Sequence, residues 1–285
     1  MQRLSFGYTI ESNNSMKKWF LLLLAISLFI SCFFIPPFQK PDEPLHFKRA
    51  YSVSLGQFVC QHTNKYSRGY FTFPKSVDEF PKKMMSDAII MKPEGKFPYR
   101  LYLGYYPVLK DQTVDLLYTC TLPFTGYIPA ALGMLLFTPL NNLLVSFYAA
   151  RLFLGIAFFV SIYVCFRILP KKYWYLLALS SILPVTVQQA TAISYDSMAI
   201  STGYLFFALF MRMYEKKRSS IQHVVFLFSL LIIFLFTKPG YYSIAFLLIF
   251  PIWLLPVSKL LRILILILSV AVICLLTFYR LALPI

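Results

Sequence analysis

Apolar positions in this chain come in long unbroken runs, with little sign of the period-two alternation of half-buried strands. After a polar start over Met1–Ser15, Met16-Lys17-Lys18 leads into an apolar stretch at Trp19–Ile35. Further runs cover roughly 126–139, 149–169, 173–190, 197–213, 221–237, 240–257 and 260–280. A helix needs about 20 apolar residues to cross ~30 Å of hydrocarbon, so the pattern predicts an all-α polytopic membrane protein. The first run has two rival readings. A cleaved signal peptide passes the same test, and Ile30-Ser31-Cys32 brushes against a lipoprotein cleavage pattern, although Phe29 is the wrong residue type before it. The runs downstream favour an uncleaved first helix. Translation starts at Met1 or at Met16, which opens the Lys17-Lys18 pair.

The run at 126–139 is the misfit. Tyr127–Pro139 would make a helix only ~20 Å long, with Pro129 and Pro139 near its two ends. Charge placement decides how to read it. If it crosses, the later basic clusters fall outside. If 126–147 instead lies at the outer leaflet, then Arg167/Lys171/Lys172, Arg212/Lys216/Lys217/Arg218 and Lys259/Arg262 all fall inside, with Lys17 and Lys18, as the positive-inside rule requires. The second arrangement predicts seven spans in a cell membrane. Residues 1–18 form a cytoplasmic tail, 19–35 the first span, and 36–147 an extracytoplasmic loop with juxtamembrane helices at about 43–56 and 126–147. Six further spans lie in 148–285.

Composition adds two exclusions. The chain has 285 residues, 59% hydrophobic and 13% charged, with a net charge of +16. Outside the long loop the cations sit in short clusters between apolar runs, which argues against a nucleic-acid partner and for the lipid bilayer. Residues 36–125 hold eight of the 11 acidic residues together with 12 Lys and Arg. That segment is aromatic and Pro-rich enough to fold as a cap on the membrane part. Its two cysteines, Cys60 and Cys120, are candidates for a disulfide or for two free thiols. No His or Cys stands at zinc-ligand spacing, so no metal site is predicted from them.

The segment Pro41-Asp42-Glu43-Pro44-Leu45-His46-Phe47-Lys48-Arg49-Ala50-Tyr51 is the most specific in the chain. Asp42 or Glu43 can cap a helix with Pro44 in its first turn, and His46 and Arg49 then follow within reach of the acids. Simple capping accounts for one acid; two carboxylates with a histidine suggest chemistry. Asp196 is the only acid between Asp115 and Glu215; it either caps the fourth span or serves a site. Lys238, Arg151 and Arg280 break the positive-inside pattern at the outer face. They suit either an anionic ligand such as a phosphate or snorkelling to headgroups. Phosphate-cradling glycine loops, His-Glu-x-x-His, nucleophile elbows and kinase motifs are absent from the sequence.

Asp42-Glu43-Pro44-x-His46-Phe47-x-Arg49-Ala50-Tyr51, with Tyr127-x-Pro129-Ala130, Ser194-x-Asp196 and Lys238-Pro-x-Tyr241, resembles the bacterial membrane-protein family known as domain of unknown function 2142, over about residues 20 to 256. That family is similar in layout to the GT-C glycosyltransferases. The resemblance implies a seven-span GT-C-like module that moves a sugar from a polyprenyl-phosphate donor to an envelope glycan or other acceptor. Asp42 or Glu43 would be the catalytic acid motif. His46, Arg49, Asp196, Lys238, Arg151 and Arg280 would contact substrate. No cofactor is fixed; Asp196 would position sugar hydroxyls or support a divalent cation, and other envelope-assembly proteins are candidate partners. The alternative is a non-catalytic module that binds or moves a lipid-linked glycan. Members of both groups usually continue into further spans beyond the point where this chain ends, which suggests a truncated, split or minimal form.

Overall fold

The computed structural model describes residues 5–63, 66–87, 104–109, 112–116, 122–217, 219–238 and 249–282, with side chains omitted at some element ends. The fold among these residues is mostly helical. Helix α1 (Ser5–Phe33) ends at Pro36-Pro37, and α2 (Glu43–Ser54) follows with Pro44 in its first turn. Strand β1 (Gln61–Thr63), β2 (Tyr66–Pro74), α3 (Lys75–Asp87) and β3 (Thr113–Leu116) then build the cap. The strands form an antiparallel sheet of order β1-β2-β3, with Phe71 opposite Leu116 and Phe73 opposite Val114. Gly69, Phe71 and Phe73 turn inward and Tyr70 and Thr72 outward, the alternation of a half-buried strand.

Helices α4 (Ile128–Phe137), α5 (Leu143–Ile168), α6 (Trp174–Ile182), α7 (Pro184–Ala190), α8 (Tyr195–Lys216), α9 (Ile221–Thr237), α10 (Ile249–Trp253) and α11 (Lys259–Ala282) complete the described chain. Three apolar cores organise them. One joins the cap to α4 and the start of α5, through Phe38, Phe47, Phe80 and Phe147. A second fills the space between α1, α5 and the α6–α7 pair, around Leu24, Phe158 and Ile162. The third lies among α8, α9, α10 and α11. The α4–α5 contact is backbone to backbone: a Cβ on Gly133 would stand 2.6 Å from the Ala149 carbonyl oxygen, so only glycine fits there.

This architecture corrects the seven-span expectation and the GT-C-like fold with it. Among the described residues, two helices are long and apolar enough to cross a membrane, Ser15–Phe33 within α1 and Leu143–Ile168, which is α5. The runs at 173–190, 197–213 and 221–237 fall short for identifiable reasons. Leu183, extended ahead of Pro184 (ψ 137°), splits the run at 173–190 into α6 and α7, because the residue before proline is pushed out of the helical region. Helix α8 has the length, but Asp196, Ser197, Ser201, Thr202, Gly203 and Arg212 dilute its apolar character. Helix α9 stops at 17 residues. Half of the run at 240–257 lies outside the described residues, and α10 within it has only five. The side chains of α11 are described only as far as Leu275. The described residues therefore do not show the multi-pass, seven-span topology inferred from charge. The stretch 126–147 is not one helix either: Asn141 turns left-handed (φ 46°) and Asn142 caps α5 by accepting from Leu144 N–H.

On α1, Trp19, Leu22, Leu23, Ile26, Phe29 and Ile30 form an exposed stripe, Trp19 at 69% exposure. Their spacing puts them on one face, and an apolar face of that extent suits lipid or a partner better than water.

Candidate functional site

Of the two acids at the start of α2, Glu43 is the buried one. Its carboxylate takes two bonds from Arg151, Nε to Oε1 at 2.8 Å and Nη2 to Oε2 at 2.6 Å, and both side chains are fully buried. Oε1 also accepts from Ile193 N–H at 3.2 Å and Oε2 from Phe38 N–H at 3.1 Å. The rest of the Arg151 guanidinium donates to the carbonyls of Cys32, Ile35 and Pro36. Five donor contacts match the five N–H groups of an arginine, and the cation also lies over Phe147 at 4.5 Å. This is a saturated junction tying the end of α1, the start of α2, α5 and the turn before α8. It leaves Arg151 no donor for a phosphate and Glu43 no open face for a substrate proton.

Arg49 is likewise spent on structure. It donates to the carbonyls of Leu122, Gln57 and Phe58 and to Ser52 Oγ, and stacks on Phe71 at 4.2 Å. Burial pushes its pKa down to about 10, which still leaves it charged. Lys40, passed over in the sequence, is 2% exposed and donates to Thr191 Oγ1 at 2.6 Å. Burial, with the nearby Arg151 cation second, pushes it down to about 7. Asp42 is the exposed acid. It precedes α2 in the left-handed region (φ 55°), makes no side-chain cap bond, and offers its carbonyl to Leu45 and His46 N–H. A non-glycine residue held there is strained.

His46 joins an aromatic cluster. Its Nδ1 lies 2.5 Å from the Tyr127 hydroxyl, and its ring meets Tyr195 edge-on at 5.1 Å. Burial lowers the His46 pKa and holds that of Tyr127 well above 10, so both are uncharged near neutrality. The turn Phe124–Tyr127 reaches this position because Gly126 packs directly on α8; a Cβ there would stand 2.5 Å from Tyr195 Cβ and 3.1 Å from Thr237. Tyr195 continues the cluster to Lys238, whose Nζ lies 5.8 Å from its ring centroid.

Lys238 and Asp196 form an ion pair at 2.6 Å, about one third exposed on each side. Ser194, not Asp196, caps α8 by accepting from Asp196 N–H at 2.9 Å, and so leaves the carboxylate available. Asp196 sits at the N-terminus of α8 and Lys238 at the C-terminus of α9, the ends at which helix dipoles favour those charges.

A cavity of about 590 Å³ opens beside this pair, lined by Gln189, Asp196, Ala199, Ile200, Gly203, Tyr204, Phe207, Phe234 and Lys238. Six of these belong to α8 at intervals of three and four, which puts them on one face. From Asp196 to Phe207 that face runs about 16 Å, polar at one end and apolar beyond it. The stripe was legible as spacing, but polar and small residues hid it inside an apparently uniform run.

The predicted site residues therefore separate into three groups. Glu43, Arg151 and Arg49 are structural. Asp42 and His46 flank a cluster that leads through Tyr127 and Tyr195 to Asp196 and Lys238. The side chain of Arg280 and the whole of Cys120 lie outside the described residues; Cys60 is disulfide-bonded, and Cys32, Cys165 and Cys274 are free. Three free cations at one face are not what the fold provides, since Arg151 is held by Glu43 and Lys238 by Asp196.

The glycosyl-transfer reading is corrected on the same grounds. One of its two acids is locked, and among the described residues there is neither a seven-span module nor a group of three or more His, Cys, Asp or Glu placed to hold a metal ion. Neither the curated proteins nor the solved structures contain a match to the chain, so the likeness to GT-C enzymes has no structural support. Residues 22–285 do match the family described as "Predicted membrane protein (DUF2142)". The chain belongs to that family.

Proposed function

We propose that this protein is a membrane-associated binding protein for an amphiphile, with the polar head at Asp196 and Lys238 and the chain along α8. The observation that carries the reading is the single-faced stripe on α8, which joins an accessible ion pair to an apolar groove walled by Gly203, Phe207 and Phe234. The cavity volume falls within the usual range for small-ligand sites, ~300–1,000 Å³. An ion pair presents both an acceptor and a donor and no net charge. It suits a zwitterionic head, ammonium to Asp196 and phosphate to Lys238, better than a bare anion. Two helices apolar enough to cross a membrane and the exposed apolar face of α1 support a setting in which such a ligand is at hand.

The test is native mass spectrometry of the detergent-purified protein titrated with lysophosphatidylethanolamine. One bound amphiphile is expected. Lys238→Met should weaken it by a factor of about 10 to 100, since a hydrogen bond to a charged group is worth ~1.5–3 kcal/mol. Binding of equal strength in the variant would refute the assignment.

A further inference from the structure

A second site lies at the opposite end of α1 and α5, where the candidate spans Ser15–Phe33 and Leu143–Ile168 begin and end. Lys17 reaches across from α1 to three rings at once, with Nζ 5.3 Å from Tyr163, 5.7 Å from Phe166 and 5.5 Å from Trp174. Among the described residues it makes no hydrogen bond and has no carboxylate partner. Lys172 is taken by Glu215, which also accepts from Tyr173. Lys171, exposed and next in chain, has no described partner. Lys17, Lys171 and Lys172 rim a cavity of about 430 Å³ whose walls are Met16, Phe20, Phe166, Trp174 and Ala178. Its chemistry is thus a cationic rim over an aromatic and aliphatic floor, at the level where an apolar span gives way to polar chain. Tryptophan and tyrosine favour that level of a bilayer, and basic pockets between membrane helices bind anionic headgroups.

We infer that this cavity holds an anionic phospholipid, its phosphate between Lys17 and Lys171 and the start of its acyl chain against Phe20 and Ala178. A free phosphate would use the same cations but leave the apolar floor uncovered, which favours the lipid. The site is independent of the amphiphile groove on α8.

Brominated lipids test it by quenching Trp174. Trp19 and Trp253 are 69% and 55% exposed, so Trp19→Phe/Trp253→Phe leaves Trp174 as sole reporter at little structural cost. In detergent micelles, brominated phosphatidylglycerol should quench at about thirty-fold lower mole fraction than brominated phosphatidylcholine, about five-fold for each of the two unpaired lysines. Lys17→Gln/Lys171→Gln should abolish that preference. Equal quenching by the two lipids in the parent protein overturns the proposal without recourse to the lysine variants, and so does a preference that survives in them. Loss of the preference in millimolar inorganic phosphate, but not in chloride of equal ionic strength, would assign the cations to free phosphate and overturn the lipid.

Discussion

Replacing Arg151 by methionine removes the hub of the junction while keeping most of its volume. Glu43 would keep two backbone donors, Phe38 and Ile193 N–H, but lose both bonds to the guanidinium. The carbonyls of Cys32, Ile35 and Pro36 would lose their donor. Breaking one side of a buried ion pair costs ~3–5 kcal/mol, because the remaining charge stays buried without compensation. Orphaned carbonyls add to it, at ~1–3 kcal/mol each before relaxation. The sum is not additive, and a loss of about 5 kcal/mol is the working figure, against a typical total stability of ~5–15 kcal/mol. In the double variant Glu43→Gln/Arg151→Met neither position buries a charge, and the amide oxygen still accepts from a backbone N–H. It should recover at least ~2 kcal/mol of the loss, the size expected for residues in direct contact. The assay is the unfolding midpoint of detergent-purified protein followed by intrinsic fluorescence, with circular dichroism to check helix content. A wild-type midpoint for Arg151→Met, or strictly additive effects in the double variant, would refute a buried pair. Wild-type stability for Glu43→Gln alone would contradict the lock and reopen Glu43 as a reacting group.

Other variants probe separate parts of the account. Gly126→Ala should cost ~1–3 kcal/mol through overpacking, since its Cβ would meet Tyr195 at 2.5 Å; a midpoint at or above wild type would show that the turn has room. Stability should rise with pH between about 7 and 10.5, because Lys40 has a folded pKa of about 7 against 10.5 when unfolded, and the unfolded chain binds the extra proton across that window. Its opposition to folding, roughly 5 kcal/mol from the shift, is complete below pH 7 and fades toward 10.5. Lys40→Met should flatten the profile, leaving Ser31 and Thr191 bonded to each other at 2.7 Å; an unchanged slope would remove Lys40 as its cause. His46, lowered by burial, adds a loss of stability below its ordinary pKa of about 6.5 that His46→Gln should abolish in acid denaturation curves.

The long runs were readable because no proline breaks them: Trp19–Ile35 and 149–169 correspond to the apolar parts of α1 and α5. The run at 173–190 also reads as one apolar stretch, and the geometry forced on Leu183 by Pro184 makes it two short helices. In the loop, Gly69, Phe71 and Phe73 carry a period of two, but nine residues of strand between aromatic and charged neighbours make a weak signal. Arg151 was the hardest residue to read. A cation inside an apolar run must be paired or face a polar cavity, yet its partner Glu43 lies 108 residues away. The sequence alone therefore left it looking like a cation available to a ligand. Asp196 and Lys238 stand out in the sequence as lone charges beside apolar runs, and their pairing across 42 residues changes the expected ligand from an anion to a zwitterion.

Gly203 offers the most direct test of the groove. A Cβ there meets only Phe234 at an ordinary 3.8 Å, and replacing a helical glycine adds up to ~1 kcal/mol of helix stability. Gly203→Leu should therefore fold at least as well as wild type while its side chain occupies the path of the amphiphile. An equal or higher unfolding midpoint is expected, together with loss of lysophosphatidylethanolamine binding. A well-folded Gly203→Leu protein that binds it as tightly as wild type would contradict the claim that the α8 face is the site.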